Sequence, residues 1–346
     1  MKDLEVAYLQ FNPVQALALT GFSQELANSG GPQACGVAQK ANEYAEALRA
    51  TLTPDQRTTL QRFTEGHLSA LLFSQMHSPD DPLPEYLPCQ SELEQDQGTL
   101  YLASRNQLLL ALARYRAFAF DIDNDGKHVR LVANFKGGGT TQRPDEDRRR
   151  PVELSSHSGL RLGAHTEAPY NCSVIAHDGH SPAPSALILA ARWNPAQEPT
   201  HIIPMAGIIE RLGGLHALAL TSCSFDFTRS ECFVNGQGQA GKAVPILQFD
   251  ANGGFSLRYN AYRFSLNDHA SKAAERALDA FQALLMQAQP LPFVLQADKA
   301  LLINNCRALH GRDTVMDNRR LLVRLFGYSP FARPLIIRDD PLLVRG

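Results

Sequence analysis

From Phe118 onward the chain is written in short runs of alternating apolar and polar residues, and this texture constrains the fold more than any other feature. "FAFDIDNDGKHVRLVANF" opens it at 118, and "CSVIAHD", "ALILAARW", "THIIPM", "LHALALTS", "VPILQF" and "FSLRYNAYRF" follow between 172 and 265. Side chains two apart on a strand share a face. Many short segments of this kind predict packed sheets, a β-sandwich or jelly roll buttressed by helices. One short helix, "GIIERLG", interrupts the strands, and "HASKAAERALDAFQALLMQAQ" predicts an amphipathic helix over 269–289. The strand texture returns in "PFVLQADKALLINNCRALHGRD" and "RRLLVRLFGYS".

The first third reads differently. "TPDQRTTLQRF" offers Thr53 as an N-cap, Pro54 at the first helical position and Asp55 in the first turn. A proline-rich stretch at 77–98 argues against regular structure, and "YLASRNQLLLALARYRA" (101–117) reads as an amphipathic helix. The expected organisation is one domain, 1–346, with a helical part over 1–117 and a β core over 118–346.

Composition narrows the function classes. With 44% hydrophobic and 20% charged residues the chain can bury a sizeable core. A net charge of −2 argues against a nucleic-acid partner. The six cysteines show no CxxC pairing, which points to reduced thiols in a cytoplasmic protein. The opening "MKDLEVAYLQFNPVQ" is not a signal peptide, and no stretch approaches the roughly 20 apolar residues of a membrane span.

Two motifs invite chemistry and do not complete it. "DIDNDG" matches the opening of a calcium loop through Asp121, Asp123, Asp125 and Gly126. Its twelfth position is Val132, where a bidentate glutamate is needed, so Asn124–Asp125–Gly126 reads as a hairpin turn. "KGGGTTQRPDEDRRRP" (136–151) carries three glycines after a strand but no GKS/T ending. It reads as a solvated loop able to act as a lid.

"GAHTEAP" (163–169) is more demanding. In an extended segment His165 and Glu167 project together and Thr166 projects away. Such a pair can be a surface ion pair, an acid/base couple or two of three metal ligands. The third ligand candidate is His310, in "INNCRALHGRD"; His177 and His180 sit in a turn, and the other histidines stand alone. Downstream, "RRLLVRLF" puts Arg320, Leu322, Arg324 and Phe326 on one strand face and Arg319, Leu321, Val323 and Leu325 on the other. Two guanidinium groups on an apolar strand face require anions, and a planar guanidinium suits a carboxylate. Two histidines and one carboxylate leave three positions of a metal open, the arrangement of non-haem iron(II) oxygenases.

In combination, the HxE pair, "NNCRALHGRD" and the arginine strand resemble the iron(II)/2-oxoglutarate-dependent dioxygenases, over about residues 155–330. The likeness is to the taurine dioxygenase and clavaminate synthase-like branch. Glutamate in "HTE" is similar to the subgroup that contains the amino-acid hydroxylases. The resemblance implies a double-stranded β-helix (jelly-roll) core and His165, Glu167 and His310 as ligands of Fe(II). It also implies that Arg320 grips the distal carboxylate of 2-oxoglutarate with help from Thr200, and that Arg324 faces the primary substrate. The segment between His310 and the arginines is shorter than in the arginine hydroxylases, which leaves Arg324 as the alternative holder of 2-oxoglutarate. The implied reaction uses O2 to decarboxylate 2-oxoglutarate to succinate and to hydroxylate an aliphatic carbon of a small molecule, an amino acid or related metabolite. The ammonium group of that substrate would also meet Glu167.

Two readings compete. His2Glu is also a catalytic zinc set, although no HExxH is present and a zinc hydrolase gives the paired arginines no role. A non-catalytic jelly-roll binding protein would have no use for an intact HxE…H set. A halogenase of the same family would carry a small residue at position 167.

Overall fold

The computed structural model describes residues 5–78, 80–141, 152, 154–228, 240–250 and 254–346. The chain begins with Val6–Gln10 (β1), Pro13–Asn28 (α1), Val37–Ala50 (α2), Pro54–Thr64 (α3) and Ala70–Ser74 (β2). Gln90–Gln95 (α4), Gln97–Leu112 (α5), Arg116–Phe120 (β3), Arg130–Ala133 (β4) and Leu162–His165 (β5) follow. Next come Ala186–Trp193 (β6), Pro199–Pro204 (β7), Ala206–Leu212 (α6) and Gly214–Ala219 (α7). Short strands occupy Phe225–Thr228 (β8), Ala240–Val244 (β9), Leu247–Phe249 (β10), Phe255–Leu257 (β11) and Phe264–Leu266 (β12). The last elements are Lys272–Gln287 (α8), Leu291–Val294 (β13), Ala300–Asn304 (β14), Ala308–Arg312 (β15), Leu321–Tyr328 (β16), Ile336–Arg338 (β17) and Leu343–Val344 (β18).

Two sheets position everything that follows. The larger runs β1-β2-β14-β6-β16-β3-β18-β17, with β4 also on β16; the smaller runs β13-β7-β15-β5. Period 2 sorts the side chains of β16. Leu321, Val323 and Leu325 pack on the N-terminal helices, while Leu322 and Phe326 join Leu187, Leu189 and Ile202 between the sheets. On the far side of the smaller sheet, Ile203 and Leu309 pack against the layer built around α6, α7 and α8. The chain is thus β-rich with helices on both outer faces.

The helical first third is capped as its sequence requires. Asn12 and Thr53 form capping boxes with Gln15 and Gln56, and the two glutamines bond each other at 3.0 Å, tying α1 to α3. This third also contributes β1 and β2, which pair in parallel at the end of the large sheet. The helix predicted over 101–117 spans Gln97–Leu112 and is not amphipathic. Residues on all its sides are buried, since it lies between the other helices and the sheet. The proline-rich 77–98 segment is less irregular than its composition implied: it holds α4 and the first two residues of α5, which Asp96 caps.

Three local expectations need correction. Asn124–Asp125–Gly126 is no hairpin turn: it adopts left-handed φ, but β3 and β4 do not pair with each other. Both lie antiparallel to β16, one after the other, so the turn carries an excursion from a single interrupted edge. "LHALALTS" contains a helix, α7, rather than a strand. Gly213 at φ 79° separates it from α6, and its leucine and alanine residues are strong helix formers. The 269–289 helix spans Lys272–Gln287, because Ser271 caps it.

The 136–151 loop is described through Thr141, and the expectation of a lid over 142–151 lies outside the described residues. Its opening is pinned, with Lys136 N donating to His157 O and Thr140 N to Val315 O, each at 2.8 Å. Of the cysteines, 35, 89, 172, 223 and 306 are free, and Cys232 lies outside the described residues. No helix among the described residues is long and apolar enough to cross a membrane.

Candidate metal centre and anion pocket

Between the sheets the apolar filling stops at one end, and polar side chains line a cavity of about 990 Å³ including its mouth. The smaller sheet supplies His165, His310, Arg312 and Thr200; the larger supplies Arg130 and Arg324, and Arg320 stands one residue before β16. The six residues singled out from the sequence, His165, Glu167, Thr200, His310, Arg320 and Arg324, all line this one cavity.

His165 and His310 are cross-strand partners in the antiparallel pairing of β5 with β15, with ring centroids 4.2 Å apart. Glu167 lies just past the end of β5. Its backbone N–H donates to Asn305 Oδ1 at 2.8 Å, and the intervening Thr166 turns the other way, its N–H held by Tyr259 O at 2.7 Å. One donor atom from each of His165, Glu167 and His310 falls within 4.8 Å of the others, the one such metal-ligating group of three among the described residues.

The donor chemistry fits a divalent metal. His165 Nδ1–H donates to Gly163 O at 2.7 Å, which leaves the Nε2 lone pair available, the arrangement that orients a ligating imidazole. Glu167 Oε1 is 3.5 Å from His310 Nε2. Two bonds of about 2.1 Å at right angles put donors about 3 Å apart, so little movement would close the pair on one ion. Burial lowers His165 to about 4, with His310 adding to the effect, so the imidazole is neutral at ordinary pH. Burial opposes ionisation of Glu167, but Arg324 and the two imidazoles outweigh it and hold the carboxyl well below the usual carboxylate range.

Arg324 has found its anions within the protein. Its Nη1 donates to Glu167 Oε1 at 2.7 Å, its Nη2 lies 3.6 Å from Asp123 Oδ2, and its guanidinium covers the Phe326 ring at 4.0 Å. Arg130, opposite Arg324 in the β4–β16 register, donates to the other Asp123 oxygen at 2.7 Å. Arg130, Asp123, Arg324 and Glu167 thus form a buried row of alternating charge.

Arg320 has no such partner among the described residues. It is 1% exposed, its Nε and Nη1 make no hydrogen bond, and burial lowers its pKa against a distant pull from Glu198. A buried cation with open donors at a cavity wall is built for an anion that comes from outside.

Asp123 and Asn305 were not singled out from the sequence. Asp123 was absorbed into the calcium-loop pattern, and only the pairing of β4 and β3 along β16 brings it to Arg324. Asn305, fully buried, fixes the Glu167 backbone and also donates to Pro184 O at 2.9 Å. Its position in "NNC" five residues before His310 was the available signal.

No protein-family model matches this sequence, and no curated protein matches it. Solved structures do share its fold. An asparagine oxygenase, determined with Fe(II), (2S,3S)-3-hydroxyasparagine and succinate, matches at a TM-score of 0.74 and 16% identity, covering 98% of this chain and 99% of that one. The non-haem iron oxygenase OrfP with Fe, succinate and (3S)-hydroxy-L-Arg matches at 0.66 and 19%, covering 93% and 94%. OrfP with Fe and α-ketoglutaric acid matches at 0.65 and 18%, with the same coverage. At these identities the likeness is one of fold.

Proposed function

We propose that this protein is a non-haem iron(II) oxygenase that couples oxidative decarboxylation of 2-oxoglutarate to hydroxylation of an aliphatic carbon in a small molecule, an amino acid or a close relative. A shared fold defines no reaction. The observation that carries the reading is the presence in one cavity of the His165–Glu167–His310 donor set and the buried, unpaired Arg320. A zinc hydrolase would leave Arg320 without a role.

His165, Glu167 and His310 would hold Fe(II), which when bound supplies the electron transfers to O2 that no side chain can perform. The chain supplies binding and order. Arg320, just before β16, and Thr200, on β7, take the distal carboxylate of 2-oxoglutarate and so aim its oxo-acid end along the cavity. Arg324, fixed by Asp123, faces the primary substrate and keeps Glu167 ionised. Leu187, Leu189, Leu322 and Phe326 wall the cavity and exclude water. The balance is one O2, one 2-oxoglutarate and one substrate giving succinate, CO2 and the hydroxylated product.

The two packed sheets are read as a jelly roll (double-stranded β-helix) with the N-terminal helices outside it, and residues 1–346 as one dioxygenase domain. Coverage of 98% by the asparagine oxygenase fold supports both. The amino-acid class is supported by the hydroxylated asparagine and arginine bound in the two related folds. Free cysteines fit the reducing cytoplasm.

The test is succinate release from 2-oxoglutarate, with iron(II) and air, across a panel of amino acids. The expected result is that one or a few raise the rate at least about tenfold over the substrate-free background. An iron-loaded protein that releases no succinate with or without any of them would end this reading.

A further inference from the structure

Arg312 stands two residues after His310 on β15, so the same period that turns His310 into the cavity turns Arg312 there as well. It is 6% exposed. Its Nη2 is tethered to the backbone carbonyls of Ser155 and Ser158, while Nε and Nη1 have no hydrogen-bond partner. Arg320, close enough to act on it electrostatically, is buried with two open donors of its own. The register that sets Gly311 opposite His201 in β7 brings Thr200, continued by one residue, level with Arg312. Two buried guanidinium groups lining one cavity repel each other in a medium that screens poorly; Glu198 acts on both through space, but among the described residues no hydrogen bond or ion pair to a carboxylate joins either of them. An anion between the members of such a pair would stabilise both.

We infer that Arg312 is a second arginine contact for the distal carboxylate of the 2-oxo dicarboxylate, so that the anion is held between Arg312 on β15 and Arg320 at the entry to β16. The inference rests on the proposed function and adds a residue to it. The Ser155 and Ser158 carbonyls hold the guanidinium in place before the ligand arrives, which reduces the ordering required on binding. The pairing also gives the site a chemical selectivity: a 2-oxo acid of equal length without the second carboxylate leaves both arginines uncompensated.

The test compares dissociation constants for 2-oxoglutarate and 2-oxopentanoate, which differ in the distal carboxylate alone, by anaerobic calorimetry on the Fe(II)-loaded protein. Wild type, Arg312→Gln and Arg320→Gln are measured. Loss of one charge-assisted contact should weaken 2-oxoglutarate at least about tenfold in Arg312→Gln and leave 2-oxopentanoate within about twofold. Equal weakening of both ligands would make Arg312 a strap for the 155–158 turn, and no change in either would make it a bystander; both results overturn the inference. If Arg312→Gln does not fold, Arg312→Lys, which keeps the charge but not the fork, is read by the same selective loss and the same two contrary results. A wild type that does not prefer 2-oxoglutarate overturns the proposed function itself. A wild-type preference that Arg320→Gln removes and Arg312→Gln does not overturns the inference about Arg312 alone.

Discussion

His310 lies directly opposite His165 in the antiparallel pairing of β15 with β5, and the two rings sit 4.2 Å apart between centroids. The strands therefore fix two of three proposed ligands before any metal arrives. Loss of a residue that merely orients a ligand costs about 10–100-fold in metal affinity. His165→Ala or His310→Ala should each weaken Fe(II) binding by more than about a hundredfold, measured by equilibrium dialysis. Retention of wild-type stoichiometry at micromolar metal would mean that the imidazoles are not ligands.

Gly311 sits between His310 and Arg312 where the β15–β5 register shifts. A Cβ there would lie 2.6 Å from the Leu162 carbonyl oxygen and 3.1 Å from that of Gly163, so backbone must move. Gly311→Ala should cost about 1–3 kcal/mol of stability and weaken metal binding by spreading His165 from His310. Thermal unfolding and metal titration of the variant check the two effects together. An unchanged metal affinity would show that the two strands can part without parting the ligands.

That His165, Glu167, His310 and the two arginines gather in one cavity was legible in the sequence because each stands out by local pattern. HxE and Arg320–Leu322–Arg324–Phe326 need only period 2, and His310 stands out by its neighbours. Asp123, Asn305 and Arg312 were not legible, because their roles come from contacts across 138 to 201 residues of chain: Arg312 with the carbonyls of 155–158, Asn305 with Glu167, Asp123 with Arg324. The β-rich core showed through its alternation, yet the same alternation misread α7, where leucines two and three apart fit either period. The helix at 97–112 was recognised by propensity and misjudged in pattern, since burial from both sides removes the polar face that an amphipathic reading expects.

Arg324 and Arg320 separate by their partners. Removing Arg324 takes away the nearest charge that holds Glu167 ionised, so the Glu167 pKa should rise and Fe(II) binding should be lost at a higher pH than in wild type. The dissociation constant for 2-oxoglutarate should stay within about threefold in Arg324→Leu and rise at least tenfold in Arg320→Ala. A steady-state and binding comparison of the two variants decides it. The reverse pattern would exchange the roles of the two arginines.

Acid stability is set in part by His128. Burial lowers this imidazole to about 4, with its Nε2–H donating to Leu342 O at 2.8 Å. The unfolded chain takes up the proton near pH 6.5 and the folded chain only near 4. The stabilisation is therefore complete above pH 6.5 and is lost as pH falls from 6.5 to about 4, on the order of 3 kcal/mol in all. His128→Gln should flatten the dependence of unfolding free energy on pH across that window by about 1.4 kcal/mol per pH unit. Urea titrations at pH 7.5, 6 and 5 measure it; parallel curves for wild type and variant would mean that His128 protonates alike in both states.

In the proposed function, a metal held by His165, Glu167 and His310 and a 2-oxo acid held by Arg320 meet in one cavity. The most direct measurement is the visible absorption spectrum of the Fe(II)-loaded protein titrated anaerobically with 2-oxoglutarate. The expected result is a weak metal-to-ligand charge-transfer band that saturates with 2-oxoglutarate, is absent in His310→Ala, and in Arg320→Ala needs at least about tenfold more 2-oxoglutarate to reach the same intensity. A wild-type spectrum that stays featureless while iron is demonstrably bound would contradict it.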